Sequence, residues 1–227
     1  MADFKEYCDE IHDNLDYFAR WFPTDEPVQV GDYGTMEGDK FNPLGNLRDL
    51  GVIVGFESDD STNDSISYAS SKDVSFSSKV GVNLPGVAGG SITVSLGKKN
   101  SIFLLAEDIT YASMKNITKL GAKLDELHKA NKWKSNYVFV SKRVISRRFL
   151  VAIADSDNSS FKLSGTVSRA VTGVADINLD DLSYGSISGS VSKFNHVDGT
   201  VKTPLFELYE WKNPWLGLGT PYVAPYK

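Results

Sequence analysis

The stretch Asp73-Val74-Ser75-Phe76-Ser77-Ser78-Lys79-Val80-Gly81-Val82-Asn83-Leu84-Pro85-Gly86-Val87-Ala88-Gly89-Gly90-Ser91-Ile92-Thr93-Val94-Ser95-Leu96-Gly97 decides how this chain is read. Side chains of a strand alternate between two faces. Val74, Phe76, Val80, Val82 and Leu84 therefore point one way, and Ser75, Ser77, Lys79, Gly81 and Asn83 the other. After the turn signal Pro85-Gly86-Val87-Ala88-Gly89-Gly90 the alternation resumes, with Ile92, Val94 and Leu96 opposite Ser91, Thr93, Ser95 and Gly97. The pattern predicts a hairpin with one apolar face and one face of small polar residues.

Farther along, the same pattern returns over residues 161–194. Phe161, Leu163 and Val167 alternate with Lys162, Ser164, Thr166 and Ser168, and Ile187 and Val191 lie in a run whose other face is Ser186, Ser188, Ser190 and Ser192. Such strands serve one of two purposes: they cover a soluble core, or they stand in lipid. A membrane-spanning strand takes about 9–11 residues with one apolar and one polar face. All four runs approach that length, and none contains proline. Lys79, Lys162 and Lys193 are expected at the lumen or the interface of such a barrel, because a charge facing lipid is costly.

The chain has 227 residues, 41% of them hydrophobic, enough for one substantial core. No run of about 18 apolar residues and no basic, apolar leader is present, so the sequence predicts neither a transmembrane helix nor a secretory signal, and a cytoplasmic protein. The single cysteine, Cys8, excludes an internal disulfide framework. The net charge of −5 conceals an asymmetry. Residues 1–64 hold sixteen Asp and Glu against four Lys and Arg, a net of −12. Residues 109–150 hold Lys115, Lys119, Lys123, Lys129, Lys132, Lys134, Lys142, Arg143, Arg147 and Arg148 against Asp125 and Glu126, a net of +8. That basic segment is an electrostatic footprint for an anionic partner, or else a solvated helix face and strand edge.

Residues 3–20 read as an amphipathic helix, with Phe4, Cys8, Ile11, Leu15 and Phe18 on one stripe. Residues 57–64 read as an exposed acidic loop, and 101–106 as a short buried strand. Asp108 is expected to cap a helix whose stripe is Met114, Ile117, Leu120, Leu124 and Leu127, with Lys115, Lys119 and Lys123 on its flank. Residues 137–140 and 149–154 read as two strands of a long hairpin with a basic tip or edge, and 155–160 as a turn. A last strand covers residues 201–211. The tail after it, residues 212–227, carries three prolines yet is studded with Trp215, Leu216, Leu218, Tyr222, Val223 and Tyr226. It is expected to lie in a groove, either completing the core or plugging a surface used later.

Signals for catalysis are missing. His12, His128 and His196 lack metal-ligand spacing, and there is no nucleophile elbow, phosphate loop or cysteine pair. The chain is expected to be no enzyme, with no catalytic residue, no metal and no cofactor.

The order of these parts resembles the pore-forming domain of the gasdermin family, from about Leu47 to Trp211: an extendable hairpin, a helix with basic residues, two core strands, a second extendable pair, and a last strand reading Thr203-Pro204-Leu205-Phe206-Glu207-Leu208-Tyr209. The resemblance implies an α+β fold, with a twisted, mostly antiparallel sheet and flanking helices. It implies a single domain over residues 1–211, its N-terminal amphipathic helix within 1–22, followed by an autoinhibitory tail over 212–227, in the short-tail bacterial or fungal arrangement. By this resemblance the chain is a latent, cytoplasmic monomer of cell-suicide or antiviral defence. An activating protease removes the tail, and the chain then binds acidic phospholipid and forms a homo-oligomeric β-barrel in the inner or plasma membrane, causing programmed cell death. Lys115, Lys119, Lys123, Lys142, Arg143, Arg147 and Arg148 would meet the lipid. Val74, Phe76, Val80, Val82, Ile92, Val94, Leu96, Phe161, Leu163, Val167, Ile187 and Val191 would enter it, and Cys8 is a possible lipidation site. Nucleic acid is not expected as a partner on this reading. The alternative is a non-enzymatic module whose basic segment binds an acidic protein or nucleic acid.

Overall fold

The computed structural model describes residues 4–19, 28–38, 40–53, 55–70, 73–80, 89–165, 167, 170–177, 182–188, 191–196, 202–214 and 220–227. In chain order the elements are α1 (Phe4–Leu15), β1 (Phe18–Ala19), β2 (Asp32–Glu37), β3 (Lys40–Asn46), a 3-10 turn (Leu47–Leu50), β4 (Phe56–Ala69), β5 (Val74–Lys79), β6 (Gly90–Leu96), β7 (Ile102–Met114), a second 3-10 turn (Ile117–Lys119), α2 (Leu120–Lys129), β8 (Tyr137–Ala154), β9 (Ser159–Gly165), a third 3-10 turn (Val174–Asp176), β10 (Leu182–Ser188), β11 (Val191–His196), β12 (Lys202–Lys212) and β13 (Tyr222–Pro225). The fold is α+β and its sheets are mostly antiparallel. No helix among the described residues is long and apolar enough to cross a membrane.

Contacts divide the chain into two compact units. The first comprises Met1–Tyr7, Thr62–Ile109 and Ser146–Val201. Here the two amphipathic stretches build a four-stranded antiparallel sheet in the order β10-β9-β6-β5. Phe76 stands opposite Val94, Val94 opposite Phe161 and Ile92 opposite Leu163. With the registers in phase and a side-chain period of two, the apolar residues of the strands share one face. That face packs on Phe103 and Leu105 of β7 and on Leu150, Ala152 and Ala154 of β8. Phe103 meets Phe161 edge-on, with centroids 5.5 Å apart, and lies 6.2 Å from Phe76. Val171, Val174 and Ile177 close the same core, and the Val171 amide donates to Ser78 Oγ at 3.0 Å.

The second unit comprises Cys8–Ser61, Thr110–Ile145 and Lys202–Lys227. Its strands run in the order β1-β12-β8-β2-β3, with β13 beside β12. Leu120, Leu124 and Leu127 form the apolar stripe of α2 and pack with Leu47, Val52, Met114, Trp133, Phe139 and Trp211. A second cluster joins Phe18, Val28, Val138, Val140, Phe206 and Leu208.

Several sequence expectations are corrected. Residues 137–154 form one 18-residue strand, not two strands with a basic tip. Val144 and Ser146 are fully buried in its middle, and the cations around them find partners without a turn. Asp108 caps no helix. It takes a left-handed conformation (φ 50°) inside β7, which continues to Met114, and Asp is among the residues that tolerate that region. The acidic residues 57–64 belong to β4, where pairing with β7 overrides their weak strand preference. The N-terminal helix stops at Leu15, and Phe18–Ala19 already pair with β12. Ile187 and Val191 are not in one strand: Ile187 is in β10 opposite Phe161, whereas Val191 begins β11 and pairs with Ala154.

Candidate functional site

The amphipathic sheet sorts its residues cleanly. Ile92, Val94, Leu96, Phe161 and Leu163 are buried, Val74 and Phe76 half-buried, all on the inward face. Ser75, Ser77 and Lys79 are exposed on the outward face, and Thr93, Ser95, Ser160, Lys162 and Ser164 are half-buried there. Ser75 lies opposite Ser95 and Ser95 opposite Ser160, a row of small polar residues across three strands, and the neighbouring row runs Ser77, Thr93, Lys162. The strands are six or seven residues long here, short of the roughly 9–11 that cross a bilayer. Val80, just beyond β5, is 54% exposed, and Val167, just beyond β9, is buried against the same core. Val82 lies outside the described residues.

The basic residues fall into two sets that the sequence could not separate. Lys115, just after β7, Lys119, at the end of the second 3-10 turn, and Lys123, in α2, are exposed and line one open cavity of about 370 Å³ with Gly51, Val52, Ile53, Gly55, Asn116 and Leu120. Lys115 reaches Glu57 at 3.5 Å and Lys123 reaches Glu126 at 2.7 Å, both exposed pairs. The cations of β8 are engaged differently. Lys142 Nζ donates to Tyr17 Oη at 3.0 Å, pairs with Glu207 at 3.1 Å and sits 4.7 Å from the Tyr111 ring centroid. Burial lowers the Lys142 pKa, but the bonds to Tyr17 and Glu207 together outweigh it and hold the ammonium above its ordinary range. Arg143 Nη1 donates to the Val28 carbonyl at 2.9 Å, and burial lowers its pKa against the nearby charge of Asp32. Arg148 pairs with Asp108 at 2.9 Å, its side chain 14% exposed. Arg147 is exposed. Of the residues read as lipid-facing, the helix lysines and Arg147 are therefore presented to solvent, whereas Lys142, Arg143 and Arg148 are committed within the fold.

The tail docks as a strand. Tyr209, Glu210, Trp211 and Lys212 of β12 pair with Pro225, Ala224, Val223 and Tyr222 of β13, and the Tyr226 amide donates to the Leu208 carbonyl at 2.9 Å. Val223 packs with the cluster around α2, and the Tyr226 ring lies tilted against Phe18, centroids 5.8 Å apart. The closest approach is at Gly121, the second residue of α2. A Cβ there would stand 2.4 Å from the Pro221 oxygen and 2.7 Å from Tyr222 Cα. This seat was not read from the sequence, and its one signal is a glycine near the start of a helix that would otherwise prefer alanine. Trp215, Leu216 and Leu218 lie outside the described residues.

Cys8 is 3% exposed, and its Sγ donates to the Ala19 carbonyl at 3.7 Å, so a lipid could reach it only if α1 opened. His12 stacks on Phe18 at 4.4 Å, and His128 is bonded to the Trp133 carbonyl and packed on Trp211. His196 closes β11 opposite Phe149. Among the described residues no three His, Cys, Asp or Glu side chains group as metal ligands. No protein-family model matches the chain, and no curated protein matches it.

Proposed function

We propose that this chain is a latent pore-forming protein of the gasdermin-like kind, held inactive by residues 212–227 and released when a protease removes them. The observation that carries this reading is the four-stranded sheet, whose strands set a mainly apolar inward face against an outward face of mostly small polar residues and contain no proline. Such strands exchange a protein core for lipid without altering their alternation, and closure of a barrel satisfies the edge groups that an open sheet leaves bare. The docked β13 supports the restraint, because it occupies one side of β12 and covers part of the helix beside the exposed lysines. Cleavage removes the covalent tether, and with it the high effective concentration that keeps a short strand in place.

The test is dye leakage from liposomes containing acidic phospholipid. A protease site is engineered at Asn213, which is exposed just past β12. Leakage only after cutting, together with a detergent-resistant oligomer, is the expected result. A folded, cut chain that leaves the liposomes tight would sink the proposal and favour the binding-module reading.

A further inference from the structure

A cleft of about 690 Å³ opens within the first unit, between the end of β4, β5 and the third 3-10 turn. Its volume falls within the roughly 300–1,000 Å³ of pockets that hold small molecules. The hydroxyl-bearing residues Ser67, Tyr68, Ser70, Ser75 and Thr172 line it together with Phe76, and none of its lining residues is charged. Two of the hydroxyls have fixed roles. Ser70 Oγ accepts from the Ile102 amide at 3.0 Å, and among the described residues nothing accepts its proton, so Ser70 is left as a donor. Thr172 Oγ1 donates to Asp176 Oδ2 at 2.8 Å and is left as an acceptor. The same carboxylate oxygen accepts from the Thr172 and Gly173 amides at 2.9 and 3.1 Å, which sets that wall in place before any ligand arrives. β5 adds backbone groups. It is the last strand of its sheet and pairs, among the described residues, with β6 alone. The Gly97 amide donates to the Asp73 carbonyl at 2.6 Å, and bonded and non-bonded pairs alternate along an antiparallel ladder, so Phe76 turns its N–H and C=O to the open edge.

We propose that this cleft binds a neutral, polyhydroxylated ligand, a sugar of one or two rings. The chemistry of the walls selects the class. Lining residues without charge leave nothing to offset the desolvation of an ionic ligand, and donors and acceptors held open in the cleft disfavour a purely apolar one. A sugar hydroxyl both donates and accepts, which suits the Ser70 donor and the Thr172 acceptor, while the apolar C–H face of a pyranose suits the rings of Phe76 and Tyr68. The site goes beyond the pore-forming reading and does not rest on it. Because the ligand joins β5 to β4 and the 3-10 turn, it also stabilises the latent fold.

The intact, uncut chain is titrated with maltose and with cellobiose and followed by saturation-transfer NMR, with glucuronate and glucosamine as charged controls. Saturation transfer to at least one disaccharide is expected, and markedly less to either charged sugar. Thr172→Val, which removes the acceptor, should weaken binding about three- to tenfold, the worth of one hydrogen bond. Ser75→Trp should fill the cleft and abolish binding, whereas Ser77→Trp, at the next outward position of β5 and outside the cleft, should leave it unchanged. All three positions are exposed, so melting temperatures that match the parent without sugar show an intact fold. No transfer to either disaccharide, equal binding of a charged sugar, or binding that survives Ser75→Trp would overturn the proposal. So would preferred binding of a blocked, neutral tetrapeptide, which would make the open edge of β5 a strand-addition site instead.

Discussion

A Cβ at Gly121 would meet the backbone of Pro221 and Tyr222, not a yielding side-chain tip. Gly121→Val should therefore lift β13 rather than be absorbed. Overpacking of this kind costs about 1–3 kcal/mol. Urea unfolding should show that loss, and amide exchange over residues 222–225 should accelerate; unchanged exchange would mean that the tail is not seated there. Lys142 and Tyr33 give a second prediction at this scale. Both have raised pKa values, Tyr33 through burial and the neighbouring charges of Tyr137 and Asp49, Lys142 because its bonds to Tyr17 and Glu207 outweigh burial. A group whose folded pKa lies above its unfolded value stabilises fully below the unfolded value and loses that contribution as pH rises through the folded one. Stability should thus fall as pH rises above about 10, from the unfolded values of Tyr and Lys through their higher folded ones. Lys142→Met should make the fall in the urea midpoint smaller; an equal fall would place the titration elsewhere. Sequence could count ten cations in residues 109–150, but it could not assign Lys142 to a tyrosine 125 positions away or leave Lys119 exposed. Those pairings are set by strand register, which charge counting does not contain.

At the scale of elements, alternation was the legible signal because it is local. Val74, Phe76, Ile92, Val94, Leu96, Phe161 and Leu163 lie inward as the period-two reading has them, while Ser91, read as outward, is buried at the start of β6. What alternation could not supply was partnership. Alternation gives a hairpin and a second strand pair with nothing to join them, yet β6 pairs directly with β9, making one sheet. β8 misled the sequence reading for a different reason: its central cations imitate a turn, and only their distant acceptors show that the strand runs through. Helix α2 was found by its leucine stripe, but its start was displaced because Asp108 offered a capping side chain in a segment that stays extended. The facing itself is testable. Val94→Asp places a carboxylate where the side chain is 0% exposed, and an unpaired buried charge should cost more than about 4 kcal/mol. Ser77→Asp, on the exposed outward face, should stay within about 1 kcal/mol. Comparable losses for the two in urea unfolding would contradict the register.

For the whole molecule, latency and conversion must be reconciled in energy. Ile92, Val94, Leu96, Phe161 and Leu163 are buried, and at about 1.5–3 kcal/mol per buried side chain they hold the sheet to its core by roughly 10 kcal/mol. That is comparable to the 5–15 kcal/mol that holds a typical domain together. On the proposed conversion, the sheet cannot leave its core in water, whereas at a membrane lipid would replace the lost burial, so the barrier would lie in opening the core rather than in the end state. Leu105 separates the two. It is 1% exposed in this core but belongs to β7, outside the four strands proposed to cross the bilayer. Leu105→Ala should destabilise the latent fold by about 2–5 kcal/mol while leaving the lipid-facing strands unaltered. Each 1.4 kcal/mol of that loss expressed in the opening step speeds it about tenfold. The cut variant should therefore leak from acidic liposomes at least an order of magnitude faster than the cut parent, and the uncut variant should remain tight. An equal rate would show that opening this core does not limit conversion, and a slower rate would mean that Leu105 supports the pore itself, which would place β7 among the spanning strands.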